Sequence, residues 1–410
     1  MKSPQNGIFV VIGFAMSFAT SANEQSGYIT ESGIRVLPIL ESKIEHVDNI
    51  GRLSDAQKAQ SSTVFVIEPG VVLSSDRNGN SYNVLYQLSS GHYFDSSDDN
   101  YIDHKLISNN SIQLSRRHAI GINYAYINSH QERGTGLLAG DELSTIADEP
   151  VRFSIHSASL TYAFGSQGAK GLIESNIKYE NKRFDNYRDI TLTNYSQLST
   201  RYKDYDEFGG GLGFYYRLSP STQLLTEFNL ASRDYELNDP ETNQSQDNLD
   251  TYYYVGARWD LTGKTEGKFR VGLQDKNYED KTKTDFDGVS WDLEFSWKPV
   301  NYSTFSLAAA LRALDPYQSS DFVDRTSFEG DWKHFWVSNF YSKLALDYIQ
   351  DDYSGSQRED ELIRTDVSLG YELRQYMGIA MGWRQESNDS SIESNTYDQN
   401  VWYLSANLLF

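Results

Sequence analysis

The sequence predicts an all-β fold, a transmembrane antiparallel β-barrel of about eighteen strands (sixteen to eighteen). Three observations predict it: a side-chain period of two, turn signals that alternate between short and long, and a final alternating apolar segment that stops on an aromatic residue.

The period is clearest at Val289, Trp291, Leu293, Phe295 and Trp297, with Ser290, Asp292, Glu294 and Ser296 between them and Lys298 following. One face is large and apolar and the other is polar and mostly charged. The same alternation runs through Tyr82–Leu88, Ile120–Tyr126, Leu212–Leu218 and Met377–Trp383, the pattern of half-buried strands. A soluble sandwich shares that period. The aromatic weight separates the two, with 29 Tyr, 20 Phe and 7 Trp in 410 residues, because a membrane barrel places aromatic girdles at both interfaces. Only 39% of the chain is hydrophobic and its mean hydropathy is −0.58, which excludes a bundle of membrane helices but suits a barrel with a polar interior. Plentiful glycine (29) and scarce proline (8) fit tight turns and few broken strands.

Short turn signals stand at 76–79, 115–118, Ser219-Pro220, 262–264 and Arg374-Gln375. Long ones fall near 48–61, 93–100, 131–150, 185–200, 236–250, 280–287, 316–321, 351–359 and 387–395. Short periplasmic turns and long outer loops produce this asymmetry. The first strand lies near Gly33–Val47, where Pro38 implies an edge or a strand start. The last carries Trp402, Leu404, Ala406, Leu408 and Phe410 on one face, and Trp402, Leu404, Leu408 and Phe410 resemble the assembly signal read by the barrel-assembly machinery. Residues 1–22 read as a signal peptide, with Lys2, an apolar core from Ile8 to Ala19 and small residues before cleavage after Ala22. Residues 23–410 then form a single outer-membrane barrel domain, located in a bacterial outer membrane. About 22 strands and a plug, as in a TonB-dependent transporter, would not fit this length.

Several stretches carry a family resemblance: His46 to Ile50; Gly91 to Phe94 with Asp99 to His104; Tyr216 to Pro220; and above all Leu261 to Asp315, a Thr-Gly turn, a glycine strand ending in Tyr, and a Trp strand with a Pro turn. They resemble a family of porin-like outer-membrane barrels (beta-barrel porin 2) encoded with exopolysaccharide and capsule export machinery. His46 departs from the pattern, standing where an aromatic residue is expected. The resemblance implies a barrel that takes part in exopolysaccharide export, with a polysaccharide chain and a periplasmic polysaccharide-export protein as partners beside outer-membrane lipid, lipopolysaccharide and the assembly machinery. It assigns no binding residue.

The residues themselves offer little catalytic chemistry. There is no cysteine, hence no disulfide, thiolate site or N-terminal lipidation. The formal charge of −21 argues against nucleic acid. No phosphate loop, HExxH or GxSxG occurs, and the seven histidines are scattered and read as turn or interface residues. We expect no enzyme, no cofactor and no metal. The acidic loops at Asp95–Asn100 and Asp351-Asp352 miss the calcium-loop spacing and read as solvated. By parity the lumen-facing candidates are Lys268, Arg270, Asp292, Glu294, Arg325, Glu329, Asp331, Lys333, Arg364, Asp366, Glu372 and Arg384. Charges of mixed sign either set selectivity or hydrate and stiffen the wall. Gly209 to Gly211 with Gly213, and Gly378, Ala380 and Gly382, mark either a smooth slot or room for an inward loop. Residues 234–250 carry six acids and no base, whereas the short turns carry Arg116, Arg117, Lys264 and Arg374. Three readings follow: an exopolysaccharide export channel, a general or solute-selective diffusion porin, and a structural or adhesive barrel.

Overall fold

The computed structural model describes residues 27–165, 168–188, 199–261, 263–318, 320–374 and 376–410. The signal-peptide reading of residues 1–22 lies outside them. A two-residue strand, β1 (Tyr28–Ile29), pairs only with β2. The other eighteen make the barrel: β2 (Arg35–Val47), β3 (Ser62–Arg77), β4 (Asn80–Tyr93), β5 (Tyr101–Gln113), β6 (His118–Gln131), β7 (Val151–Phe164), β8 (Gly171–Phe184), β9 (Tyr205–Ser219) and β10 (Thr222–Tyr235) form one half. The other half is β11 (Asn248–Leu261), β12 (Thr265–Tyr278), β13 (Phe286–Val300), β14 (Ser303–Leu314), β15 (Val323–Phe335), β16 (Phe340–Tyr353), β17 (Glu359–Arg374), β18 (Met377–Ser390) and β19 (Tyr397–Leu409).

Each strand pairs antiparallel with the next, and β19 returns to β2 from Val401↔Val47 to Leu409↔Ile39. Closure leaves no free sheet edge in lipid, where unpaired backbone groups would be costly. Pro38 lies one residue beyond the last β19 rung, and its carbonyl accepts the Phe410 N–H at 3.0 Å. It is the fourth residue of β2, paired with Val71 of β3, and lies where β2 has no β19 rung to ask for its missing N–H.

The turns at one end are short. Asn78 (φ 54°) and Gly79 (φ 79°) form one of them, the two left-handed positions that match hairpin twist. The other end carries nine long connections. On the outward face apolar side chains stand exposed, from Ile122 and Leu160 to Val289 and Met381. Aromatic rings gather near the short-turn end, where Trp297, Phe305 and Trp332 stack at 5.3 and 5.9 Å, and nearer the long-loop end, where His156 meets Tyr126 at 4.8 Å and Tyr179 meets Phe208 at 4.8 Å. Exposed apolar surface framed by rings is what a lipid-facing wall needs.

Candidate functional site: an ionic wall and an inward strap

The polar face of the strands is the inner one. Its side chains reach residues far beyond the neighbouring strands, which only the interior of a closed sheet permits. The clearest example is the connection between β14 and β15, residues 315–322. It leaves the wall early: β13 and β14 pair only as far as Trp291↔Leu311, so Phe286–Ser290 have no β14 partner. The end of β14 instead lies against β12, where Gln274 donates to the Ala313 carbonyl (2.8 Å) and accepts its N–H (2.9 Å).

This strap then turns inward and runs past β12, β10 and β8. Asp315 pairs with Lys276 at 2.8 Å and with Arg233, and accepts from Tyr235 at 3.1 Å. The Pro316 carbonyl accepts from Lys203 at 2.8 Å, Tyr317 bonds Lys182 at 3.2 Å, and Gln318 donates to Ala139 at 2.9 Å and accepts from Arg358 at 2.6 Å. Burial opposes the charge on Asp315, but Lys276 and Arg233 overcome it and hold the carboxyl below its usual range. Among the described residues, Lys203 has only the Gln246 amide (2.5 Å) and the Pro316 carbonyl as hydrogen-bond acceptors. Burial pushes its pKa down to about 7.

A second inward connection, residues 132–150, holds the short helix α1 (Asp141–Ile146). Leu137, Leu138, Leu143 and Ala147 bury against Val151, Phe153 and Ile155 of β7 and Phe184 of β8, with Tyr317 of the strap packed on them. An apolar core thus forms inside the barrel at its long-loop end. The 48–61 loop locks onto it: Ser144 donates to the Gly51 carbonyl (2.6 Å), Asp141 accepts from Ser54 (2.6 Å), and Arg52 bridges Glu132 (2.7 Å) and Glu386 (2.8 Å).

Below the strap the ion pairs form ladders. Arg270 holds Asp292 and Glu227, both at 2.6 Å; Lys268 holds Glu227 at 3.1 Å, and Arg312 approaches Asp292 at 3.6 Å. Arg364 holds Glu386 (2.5 Å) and Asp347 (3.5 Å), Arg325 pairs with Asp351, and Lys333 meets Glu372 at 3.4 Å. Asp366 accepts from Tyr403 at 2.7 Å. Glu294 stands exposed opposite Lys268, Arg384 lies opposite Asp366, and Glu329 and Asp331 alternate with the outward Phe328. Sequence reasoning missed Lys276 and Glu386, although they share parity with Arg270 and Arg384, and it missed Glu227, whose strand carried no assigned phase. It had no signal for Arg52, Lys203 or Asp315, whose partners come from elements distant in sequence.

Several expectations are corrected. The glycine tracks are neither a smooth slot nor space for a loop. A Cβ on Gly211 would meet Asn229 Oδ1 at 2.3 Å, one on Gly382 the Tyr403 ring, and one on Gly378 Asn407 Oδ1 at 2.6 Å; neighbouring side chains fill those places. The acidic loops are not simply solvated, since Asp99 is buried and paired with Arg133 at 2.5 Å, and Asp351 is held by Arg325. His130, expected at a turn or an interface, lies near the long-loop end of β6 and pairs with Asp103 at 3.0 Å. The 234–250 acids gain bases from elsewhere: Arg201 and Arg188 for Glu236, and Lys276 for Asp250.

Among solved structures, the siderophore receptor PirA from Acinetobacter baumannii aligns at 7% identity and a TM-score of 0.45, over 92% of this chain and 80% of that one. OpdO from Pseudomonas aeruginosa aligns at 14% and 0.46, over 92% and 97%, and OccAB3 from A. baumannii at 11% and 0.47, over 92% and 99%. No curated protein matches. The sequence profile described as "Putative beta-barrel porin 2" matches residues 33–410, all eighteen barrel strands, and the chain belongs to that family of porin-type bacterial outer-membrane β-barrels.

Proposed function

We propose that this barrel is a passive, solute-selective channel for small hydrophilic molecules, narrowed at its outer end by the 315–322 strap. The observation that carries this reading is the strap itself, anchored by Asp315, Pro316, Tyr317 and Gln318 to four separate parts of the inner wall and loops. A fixed obstruction inside a wide barrel sets a size limit, and charged side chains around it set selectivity. In this reading the twelve charged residues from Lys268 to Arg384 line the passage, where their pairing keeps the wall hydrated while leaving little net charge. Residues 23–410 act as one domain after removal of residues 1–22.

Export of an exopolysaccharide, with a periplasmic export protein beneath the barrel, is the reading the family resemblance implies. It needs the strap and the Leu137–Leu138 core to move aside for a chain, so the anchored strap favours diffusion of smaller solutes. We propose further that Trp402, Leu404, Leu408 and Phe410 are read by the assembly machinery. Their support is that they share the lipid-side face of the strand that closes the barrel, where Trp402, Leu404 and Phe410 are exposed. Phe410→Ala should then lower the outer-membrane level of the protein.

The channel reading is tested by inserting the purified barrel into planar lipid bilayers in potassium chloride. Discrete conductance steps, with uncharged polymers above a cut-off size failing to reduce them, are expected. A barrel that inserts and never conducts would overturn the reading.

A further inference from the structure

The ions are not spread evenly around the inner wall. From β4 to β7, in the half nearer the short turns, the inward rungs carry amides, hydroxyls and small or apolar side chains instead, and β8 adds Glu174 beside Asn176. Register aligns Asn83, Asn109, Asn123 and Ser159 in one continuous row across four strands. A second row one step nearer the short turns aligns Ser81, Ser111, Gly121, Thr161 and Asn176. It continues through Gly211 to Asn229. None of these side chains is ionisable. Their sequence neighbours Tyr82, Ile122, Leu160 and Ile177 belong to the exposed apolar exterior, so alternation turns the rows into the bore.

The amides lie along the wall. Asn83 Nδ2 donates to Ser81 Oγ at 3.1 Å and Asn123 Nδ2 to Ser159 Oγ at 3.2 Å. Asn176 and Asn229 converge over Gly211, the gap left by its missing side chain. An asparagine offers two N–H donors and two carbonyl lone pairs, so each amide that spends one donor on its neighbour keeps the rest for a visitor. Ser111 and Asn176 are exposed and the other members half-buried, which leaves that capacity within reach of the bore. Beyond Ser159 the first row ends on Lys178, which is held by Glu180 (3.0 Å) and Glu207 (3.3 Å).

We propose that these rows are a weak binding lane for uncharged oligosaccharides. Sugar hydroxyls donate and accept hydrogen bonds, as amides and hydroxyls do. A neutral polyol brings no charge to desolvate. An anion would find no cation within the rows, and at their end only one already engaged by two carboxylates. Repetition at each rung gives a chain of sugars equivalent contacts at successive positions, and contacts of this modest strength allow release as well as entry. The inference rests on the channel reading and names the solute class.

The test is current block in planar bilayers, with maltohexaose as the neutral probe and an oligogalacturonate of similar length as the anionic one. Maltohexaose should reduce the current in a saturable way, and the oligogalacturonate should do so only at much higher concentration. The Asn83→Ala/Asn109→Ala/Asn123→Ala variant should raise the half-blocking maltohexaose concentration about tenfold, as expected for two or three lost hydrogen bonds of modest net strength. Asn110→Ala, on the outward face of β5 where its amide bonds Ser108, should leave it unchanged. If the triple variant does not assemble, Asn123→Ala alone should shift the same quantity by about threefold. A conducting channel that maltohexaose does not block, or one blocked equally well after the substitutions, overturns the lane and leaves the channel standing. A barrel without conductance removes both.

Discussion

The carboxylate of Asp315 lies 2.8 Å from the ammonium of Lys276, and both side chains are buried inside the barrel although 39 residues separate them in sequence. This contact ties the strap to the wall of β12, and Arg233 of β10 ties it to the next wall segment. Asp315→Ala should release the strap while Asp250 and Glu207 continue to neutralise Lys276 and Arg233. Breaking one member of a buried pair costs about 3–5 kcal/mol when the partner is left alone, and the remaining carboxylates should bring the loss to about 2 kcal/mol. The expected outcome is a larger single-channel conductance and faster protease cleavage near residue 317, with the barrel itself still resistant to detergent at room temperature. Unchanged conductance and unchanged cleavage would show that the strap does not depend on this contact.

Lys203 adds a pH dependence to the same strap. Burial lowers its pKa to about 7 from an ordinary 10.5; Asp239 and Asp315 pull it back up, and Lys283 and Lys182 push it down. The folded pKa is the lower one, so between about pH 7 and 10.5 the undocked lysine binds more protons than the docked one. Docking of the strap should therefore strengthen as pH rises through that window and stay flat below about pH 7. Labelling of a cysteine placed at Tyr317 should slow as pH rises from 7 to 9, after correction for thiol ionisation. Lys203→Met should abolish that trend, and its persistence in this variant would assign it to another group.

How much of this was legible beforehand depends on distance in sequence. The strand phase was readable because Val289 to Trp297 repeats over nine residues, and the turns were readable because Asn78-Gly79 is a local signal. Parity puts Arg270 and Asp292 on one face in the sequence, but which carboxylate each cation holds depends on barrel register. The strap was not readable. Residues 316–321 look like any other long loop, and what folds them inward is Lys203, Arg233 and Lys276, each supplied by a different element. The β4–β8 amides were likewise passed over, because Asn and Ser in a strand carry no motif until register sets them side by side.

The phase of β13 gives a direct test of which side faces lipid. Leu293 lies between Phe269 and Ala309 on the apolar side, while Glu294 is exposed on the other. Leu293→Arg should destabilise the barrel by about 2–4 kcal/mol if it sits near the bilayer midplane, read from urea unfolding in lipid vesicles. A cysteine at position 294 should react quickly with a membrane-impermeant maleimide and one at 293 slowly. Equal rates would mean that the strand phase is wrong.

Topology gives the last test, and it decides whether the strap guards the outer or the inner mouth. The long connections lie at one end with the strap, the apolar core and the acidic 236–247 loop, and the short turns with Arg116, Arg117 and Lys264 lie at the other. In outer-membrane barrels the long loops face outward, so the strap end should meet the medium and the basic turns the periplasm. Acidic loops beside lipopolysaccharide phosphates then need bridging divalent cations, which prefer such oxygen ligands, while the basic rim favours acidic periplasmic partners by charge complementarity. An epitope between residues 241 and 243 avoids Gln246, which holds Lys203, and replaces only exposed backbone. It should be detected by antibody on intact cells. An epitope beside Arg116 should be detected only after the outer membrane is permeabilised. Detection of the Arg116 epitope alone on intact cells would invert the barrel and place the strap at the periplasmic mouth, where it would meet solutes leaving the cell before those entering it.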